Sequence, residues 1–222
     1  TNNFYSLLNI LQSQSEHGIN NFIFSSSATV YGTPETLPIT EENETKRPFS
    51  SYGNTKKIAE EILDDFTKSN THFSAISLRY FNPIGAHESG LIGELPNGVP
   101  NNLMPYITQT AAGVRDKLMV YGNDYPTKDG TPIRDYIHVV DLARAHVIAI
   151  IRLINKEQEQ SLEFFNLGTG LGYSVLDVIN TFESVTDTKL NYEITKRRAG
   201  DVPQLYASTY LAKEKLGWSA ER

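Results

Sequence analysis

Short apolar strands alternate with amphipathic helices in the first 80 residues, and this alternation constrains the fold most. Apolar side chains recur at helical spacing in residues 4–14 and again in residues 58–66. Short apolar runs suited to buried strands follow at residues 22–24 and 75–78. Parallel strands need a crossover connection, which is usually a helix, so this order favours parallel pairing. The chain is therefore predicted to form an α/β fold on a parallel sheet.

The rest of the chain mixes further predicted elements with long loops. Residues 82–102 hold four of the fifteen glycines and three of the ten prolines, which indicates a loop long enough to be functional. Hydrophobic spacing then predicts helices over residues 103–113, over 210–216 and after Ser174. It predicts strands over residues 118–121, 136–140, 164–167 and 192–194. The strand at 136–140 is expected to lead into a helix, and the strand at 192–194 is expected to be the last one.

Composition excludes several classes of function. The formal net charge of −6 offers nucleic acid no bulk attraction. Without cysteine the chain has no disulfide, thiolate metal site or cysteine nucleophile, which fits a reducing compartment. The five histidines lack metal-ligand spacing, and no apolar run approaches the roughly 20 residues of a membrane helix. We therefore expect no metal, no nucleic-acid partner, no membrane association and a cytoplasmic location.

Two short motifs predict proton-transfer chemistry. Three serines at positions 25–27 follow the first predicted strand, where ligands bind in open α/β sheets. Tyr52 and Lys56 lie four residues apart, so a helix places them side by side. An ammonium beside a phenol favours the phenolate and makes tyrosine a usable base. The alternatives are an ordinary helix that happens to carry both residues, and serines that only cap the following turn.

A glycine-rich segment and a histidine in an apolar run carry less information. Residues 168–172 begin like a dinucleotide fingerprint, but the pattern needs a glycine where Tyr173 stands. We interpret these glycines as the turn between a strand and a helix. His138 lies in an apolar run and is interpreted as a core residue rather than a base.

Two charged segments allow alternative interpretations. Arg134 and Asp135 form either an internal ion pair or part of a phosphate clamp. Arg197 and Arg198, followed by Asp201, form either a solvated cluster or part of a binding site. In isolation the structural alternatives are favoured for both.

Seven motifs in one order cover almost the whole chain. They are FIFSSSATVYG at 22–32, YGNTK at 52–56, RYFNP at 79–83, PNNLMPY at 100–106, GTPIRDYIHV at 130–139, NLGTG at 166–170 and RRAGD at 197–201. Together they resemble the UDP-glucose 4-epimerases, a family of extended short-chain dehydrogenases/reductases that use NAD.

The resemblance implies a reaction and roles for individual residues. UDP-glucose and UDP-galactose would be interconverted by transient oxidation at the sugar's fourth carbon, through a 4-keto intermediate. Tyr52 would take the proton of the 4-hydroxyl, Lys56 would lower the pKa of Tyr52 and hold the nicotinamide ribose, and Ser27 would hydrogen-bond the same hydroxyl. Implied NAD contacts are Asn2, Ser27, Tyr52, Lys56, Tyr80 and Phe81. Implied UDP-sugar contacts are Asn82, Asn101, Asn102, Leu103, Tyr121, Arg134, Arg198, Asp201 and Leu205.

The resemblance also implies an architecture. Residues 1–82 and 136–168 would be the remainder of an NAD-binding Rossmann domain, the C-terminal part of a doubly wound parallel sheet. Residues 83–135 and 169–222 would form a smaller mixed α/β lobe that binds the UDP-sugar. A homodimer is implied for the full-length enzyme. Leu205 stands at a position where bulk varies in the family, so acceptance of N-acetylated sugars stays open.

The chain departs from the family pattern in ways that leave rivals open. The glycine fingerprint and the acidic residue for the adenosine ribose are missing, so we interpret the chain as a fragment without the first Rossmann half and the C-terminal end. One rival, an NDP-sugar 4,6-dehydratase, usually has an Asp-Glu pair where Ala28 and Thr29 stand. The other rival is a non-catalytic relative that binds UDP-sugars or nothing.

The missing fingerprint leads to a first prediction. The 222-residue chain alone is expected neither to bind NAD nor to turn over, because the glycine turn that cradles the pyrophosphate is not in it. Isothermal calorimetry of the isolated chain with NAD measures this directly. Tight binding would contradict the prediction.

Overall fold

A computed structural model describes residues 2–222, with side chains from residue 3 onward. The helices are α1 (Asn2–Glu16), α2 (Ser51–Ser69), α3 (Leu103–Ala111), α4 (Val139–Ile154), α5 (Val175–Thr186) and α6 (Tyr210–Leu216), with a 3₁₀ helix at Ala28–Tyr31. The strands are β1 (Asn21–Ser27), β2 (Ser74–Tyr80), β3 (Asn82–Ile84), β4 (Leu118–Tyr121), β5 (Ile133–Arg134), β6 (Tyr136–His138), β7 (Leu162–Leu167), β8 (Tyr173–Ser174), β9 (Tyr192–Thr195) and β10 (Gln204–Leu205).

The main sheet has the order β1-β2-β7, and all its strands are parallel. The pairing register sets Ser27 opposite Tyr80 and Tyr80 opposite Leu167, so the three carboxyl ends are level. Ligand sites of open α/β sheets lie beyond such an edge. The expected parallel α/β sheet is confirmed.

Helices cover both faces of this sheet. On one face Leu7 of α1 and Leu63 of α2 pack with Ala75 of β2. On the other, α4 and α6 pack against Ile76 and Leu78, which point the opposite way from Ala75 because side chains alternate along a strand. The sheet is therefore doubly wound, as expected for a Rossmann-type fold.

A smaller mixed lobe accompanies the sheet. It contains the parallel pair β4–β9 and the three-stranded sheet β10-β5-β8, in which β5 and β8 are antiparallel. Its core includes Ile107, Val120 and Ile179, all fully buried. The expectation that residues 192–194 hold the last strand was wrong, since β10 follows. The two residues of β10 are too few to show the alternation of apolar and polar side chains by which a strand is recognised in a sequence. The lobe boundaries implied by the resemblance stay a prediction.

Within the described residues, no helix has both the length and the apolar composition needed to cross a membrane.

Candidate active site

The serine run lies at the carboxyl end of β1, with two of its hydroxyls in defined roles. Ser27 caps the 3₁₀ helix: its Oγ accepts hydrogen bonds from the Thr29 amide at 3.3 Å and the Thr29 hydroxyl at 3.0 Å. The capping alternative is therefore correct for Ser27. With both bonds accepted, its hydroxyl hydrogen is still available to donate. The same residue can thus cap the turn and bind a substrate oxygen.

Ser25 is held by a histidine on the other side of the sheet. His146 Nδ1 lies 2.9 Å from the Leu142 carbonyl, which can only accept, so Nδ1 carries the proton. In the neutral ring Nε2 then accepts from the Ser25 hydroxyl at 3.0 Å. His146 thereby fixes the end of β1 against α4.

Tyr52 and Lys56 lie on the first turns of α2, as the spacing predicts. Ser50 caps this helix by accepting from the Gly53 amide at 3.0 Å. The Lys56 ammonium lies 5.6 Å from the centre of the Tyr52 ring and donates to the Ser25 carbonyl at 2.7 Å. One hydrogen bond therefore ties the Tyr52–Lys56 pair to the serine run.

The electrostatics of the pair differ from expectation. Partial burial raises the pKa of Tyr52, and Tyr80 adds a smaller upward contribution. Burial also lowers the pKa of Lys56. The expected lowering of the Tyr52 pKa by Lys56 is thus not present in this structure, because the ammonium is directed at the Ser25 carbonyl. Activating the phenol requires the ammonium to approach it more closely.

Gly53 permits the close approach of α2 to the serine run. A Cβ at this position would lie 2.7 Å from Pro48 Cβ and 3.1 Å from Thr29 Oγ1, the hydroxyl that bonds Ser27. Replacing Gly53 with alanine is expected to move α2 and to disturb the Ser27 bond. For the epimerisation that the resemblance implies, we predict a fall in kcat of about 10²-fold, which is the usual effect of misplacing a catalytic group by about 1 Å.

Steady-state kinetics of the full natural protein measures this effect. Gly113→Ala serves as the control for a lost glycine, since a Cβ there meets nothing within 4 Å. Its positive φ of 71° means that some loss of stability is expected, without a loss of kcat in folded protein. Equal kcat for Gly53→Ala and wild type would contradict the prediction.

A cavity of about 450 Å³ lies in the smaller lobe. It is lined by eight of the nine residues implied as UDP-sugar contacts: Asn82, Asn101, Asn102, Leu103, Tyr121, Arg134, Arg198 and Asp201. The ninth, Leu205, instead packs with Phe81, Val30 and Ala207 in a buried cluster. Phe81, implied as a cofactor contact, is only 6% exposed in the same cluster.

The cavity has an excess of positive charge. Its charged lining consists of Arg134, Arg198 and Asp201. Arg198 Nε donates to Asp201 at 3.0 Å, while the nearest Arg134 nitrogen is 3.7 Å from the same carboxylate. Burial lowers the pKa of Arg134, and the Asp201 carboxylate opposes this shift. Two guanidiniums sharing one carboxylate suit an anionic ligand such as a diphosphate.

Arg134 and Asp135 do not form an ion pair with each other, because their side chains have different partners. Asp135 is fully buried and accepts hydrogen bonds from the Thr169, Gly170 and Ala207 amides. These bonds fix the glycine turn at 168–170. The predicted turn after a strand is present, but the two-residue strand β8 lies between it and helix α5. Asp135 has a structural role, and Arg134 faces the cavity.

The second charged segment also divides between two roles. Arg198 lines the cavity, with its guanidinium 5.2 Å from the centre of the Tyr121 ring. Arg197 lies outside the cavity lining, bonds Asp124 at 2.7 Å and stacks on Tyr125. The solvated-cluster alternative therefore fits Arg197 alone.

Tyr106, which was not predicted as a site residue, lines the cavity from α3. The sequence contained a signal for it, because Tyr106 lies three residues after Leu103 and a helix places both side chains on the same face.

Asn2 begins α1, but its side chain lies outside the described part, so its implied cofactor contact stays a prediction. Among the described residues, no group of three or more histidine, aspartate or glutamate side chains could hold a metal ion.

The two parts of the site are connected through the backbone. Asn82 of the cavity follows Tyr80 by two residues, and Tyr80 lies opposite Ser27 in the sheet. The cavity loop also reaches α2, since a Cβ on Gly200 would lie 3.0 Å from Phe49 Cβ, shortly before the helix. The cavity therefore adjoins the sheet edge at Asn82 and approaches the segment before α2 at Gly200; that the acid–base groups and the cavity act as one site stays a prediction.

Comparisons with known proteins identify the family of the chain. The family model described as GDP-mannose 4,6 dehydratase matches residues 1–222. The chain belongs to this family. It is 54% identical over 213 residues to the UDP-glucose 4-epimerase of Drosophila melanogaster, and the match covers 96% of the chain and 61% of the relative.

Two solved structures extend the likeness to three dimensions. A UDP-glucose 4-epimerase from Bifidobacterium longum in complex with NAD+ and UDP has a TM-score of 0.93 at 48% identity. One from Stenotrophomonas maltophila with bound NAD and formylated UDP-arabinopyranose has a TM-score of 0.94 at 44% identity. They cover 100% and 99% of this chain, and the chain covers 65% and 64% of theirs. The chain thus spans about two thirds or less of the length of these relatives.

Proposed function

We propose that the full natural protein containing these residues is a UDP-glucose 4-epimerase that interconverts UDP-glucose and UDP-galactose. Two observations carry the proposal together. Lys56 ties the Tyr52 helix to the serine run at the carboxyl edge of the sheet, and a cavity lined by Arg134 and Arg198 includes Asn82, which follows the neighbouring strand β2. Two relatives that bear this name are 54% and 52% identical to the chain, which supports the same assignment.

The proton-transfer part of the reaction follows from three side chains. Ser27 donates its free hydroxyl hydrogen to the sugar's 4-oxygen and so holds it beside Tyr52. The Tyr52 phenolate takes the 4-hydroxyl proton as the carbon–hydrogen bond at the fourth carbon breaks, which leaves a 4-keto sugar. Returning the proton and the hydride on the other face of the ring gives the epimer. Lys56 stabilises the phenolate by its charge.

The cavity holds the nucleotide in this proposal. Arg134 and Arg198 bind the diphosphate, and Asp201 accepts from ribose hydroxyls. The amides of Asn101 and Asn102 suit the polar edge of uracil. Binding both phosphates while the sugar is held by few groups leaves the 4-keto ring free to turn, which the change of face requires.

Lys56 and Tyr52 have polar groups that could bind the nicotinamide end of NAD. An ammonium has three donors, and within the described residues Lys56 uses one of them for Ser25. Its remaining donors and the half-exposed Tyr52 can hold a ribose at the edge of the sheet. When bound, NAD accepts and returns the hydride of the fourth carbon. Tyr80 and Phe81 are proposed to flank it.

A 4,6-dehydratase is disfavoured, although the family model carries that description. Dehydration needs a second acid and base near the sugar. Ala28 is 2% exposed and has no ionisable group, and the Thr29 hydroxyl already donates to Ser27. Neither residue can replace a carboxyl group in proton transfer.

An assay of the full natural protein tests the proposal. UDP-galactose is supplied, and UDP-glucose is detected by a coupled dehydrogenase. Appearance of UDP-glucose, and of UDP-galactose in the reverse direction, supports the proposal. Formation of a stable 4-keto-6-deoxy sugar would support the dehydratase instead. Binding of UDP without either product would support the non-catalytic relative.

Homodimerisation and a cytoplasmic location are also part of the proposal. Helix α1 exposes Tyr5, Leu8 and Ile10 at 67%, 47% and 45%, which is the kind of apolar surface that a second copy covers. A chain without cysteine suits a reducing compartment.

A further inference from the structure

Helix α2 carries a third ionisable residue, Glu60, on the same face as Tyr52 and Lys56. Glu60 follows Lys56 by four residues and Tyr52 by eight, so all three lie along one side of the helix. Unlike the other two, Glu60 is only 4% exposed. A carboxylate is rarely buried so deeply unless it is paired.

The partner of Glu60 is Arg79 on the neighbouring strand β2. Arg79 Nε donates to Glu60 Oε1 at 2.9 Å, and Arg79 Nη2 donates to Oε2 at 2.7 Å. The Ser77 hydroxyl donates to Oε1 at 2.8 Å. This two-point geometry fixes both the distance and the rotation of α2 relative to β2.

Arg79 also reaches the segment that follows the serine run. Its Nη1 donates to the Tyr31 hydroxyl at 3.0 Å, and that hydroxyl donates to Asn166 of β7 at 2.7 Å. Burial raises the pKa of Tyr31 to about 12, so the phenol keeps its proton for Asn166. Tyr31 ends the 3₁₀ helix that Ser27 begins. One guanidinium is therefore bonded both to the Tyr52 helix and to the Ser27 turn.

Stability alone is a poor reason for such a pair. Burying two charges carries a large desolvation cost, and apolar residues of similar volume often replace buried ion pairs without loss of stability. The pair supplies something that apolar packing does not, which is fixed direction. It acts where the positions of Ser27, Tyr52 and Lys56 must agree to within a fraction of an ångström.

We propose that Glu60 and Arg79 are positioning residues that fix helix α2 against the Ser27 turn, and so set the separation of Tyr52 and Lys56 from Ser27. Neither residue is assigned any contact with substrate. The inference rests on the proposed function for its kinetic consequence, but the placement of Tyr52 can be measured without turnover.

The test replaces the pair with two methionines, Glu60→Met with Arg79→Met, in the full natural protein. The matched control replaces another buried ion pair, Arg152 and Glu163, whose side chains are 8% and 10% exposed and which joins α4 to β7. We expect both double variants to fold. The Glu60/Arg79 variant should lose about 10²-fold in kcat, as for a misplacement of about 1 Å, with little change in KM. The control should retain its kcat.

A second readout separates this inference from the proposed function. NMR titration of ¹³C-labelled tyrosines, assigned with Tyr52→Phe, reports the environment of the Tyr52 phenol even if no epimerisation occurs. The Tyr52 titration should shift in the Glu60/Arg79 variant and not in the control. A folded variant with unchanged titration and kcat overturns the proposal, and so does an equal shift in the control. If the methionine variant does not fold, Glu60→Gln is judged by the same two readouts.

Discussion

Replacing Tyr52 with phenylalanine in the full natural protein is expected to lower kcat by about 10²- to 10⁴-fold, the usual contribution of a positioned acid or base. The substitution removes one oxygen and leaves the ring, which is 47% exposed. The helix should therefore keep its packing and its bond from Lys56 to the Ser25 carbonyl. UDP affinity should stay within about twofold, since Tyr52 is not part of the cavity lining. Steady-state rates and UDP titration measure both quantities.

The pH profile identifies the role of the phenol more specifically. Because partial burial raises the pKa of Tyr52, the neutral phenol predominates near neutrality and the phenolate grows as pH rises. The wild-type kcat should therefore increase with pH as Tyr52 ionises. In Tyr52→Phe this increase of kcat with pH should be absent. Tyr210→Phe, at a tyrosine that is 69% exposed on α6, is the control. A Tyr52→Phe enzyme with the wild-type rate and profile would exclude Tyr52 as the base.

The main sheet could be predicted from sequence because its signals are local. The apolar runs at 22–24 and 75–78 lie within β1 and β2, and helices α1 and α2, one before each strand, show a clear stripe of buried residues. Residues 210–216 form α6 as predicted. The short strand β10 could not be found this way, because its two residues are defined by pairing with β5 rather than by any pattern of their own.

The site was predictable in its residue types but not in its geometry. Spacing correctly put Tyr52 and Lys56 on one helix face, yet it could not show that the ammonium bonds the Ser25 carbonyl instead of approaching the phenol. The buried pair of Glu60 and Arg79 left no local signal, since its members lie 19 residues apart and belong to different elements. Long-range pairing of this kind appears only once the helix is packed on the sheet.

The position of Leu205 shows the limit of transferring roles by resemblance. Leu205 was implied as a sugar contact, but its side chain is 8% exposed and packs with Phe81 in the core beneath the 3₁₀ helix. Its strand neighbour in register, Arg134, does line the cavity. The contact of Leu205 with a sugar thus stays a prediction.

Replacing Arg134 with methionine is expected to weaken UDP binding by about 10- to 100-fold, the worth of a hydrogen bond to a charged group of about 1.5–3 kcal/mol. Arg134 has a side chain only 14% exposed and shares Asp201 with Arg198. Its loss removes the unbalanced positive charge of the cavity. Calorimetric titration with UDP measures the change, and KM for UDP-galactose should rise with it.

Arg197→Met is the matched control, because it removes the same charge at a position next to Arg198. Arg197 bonds Asp124 in an exposed ion pair, and such pairs contribute about 0–1 kcal/mol. UDP affinity should therefore change by no more than about twofold. If long-range charge alone drove binding, both variants would weaken it equally and salt would remove the difference from wild type. A large effect of Arg134→Met alone would locate the diphosphate beside that guanidinium, and equal effects would contradict a specific clamp.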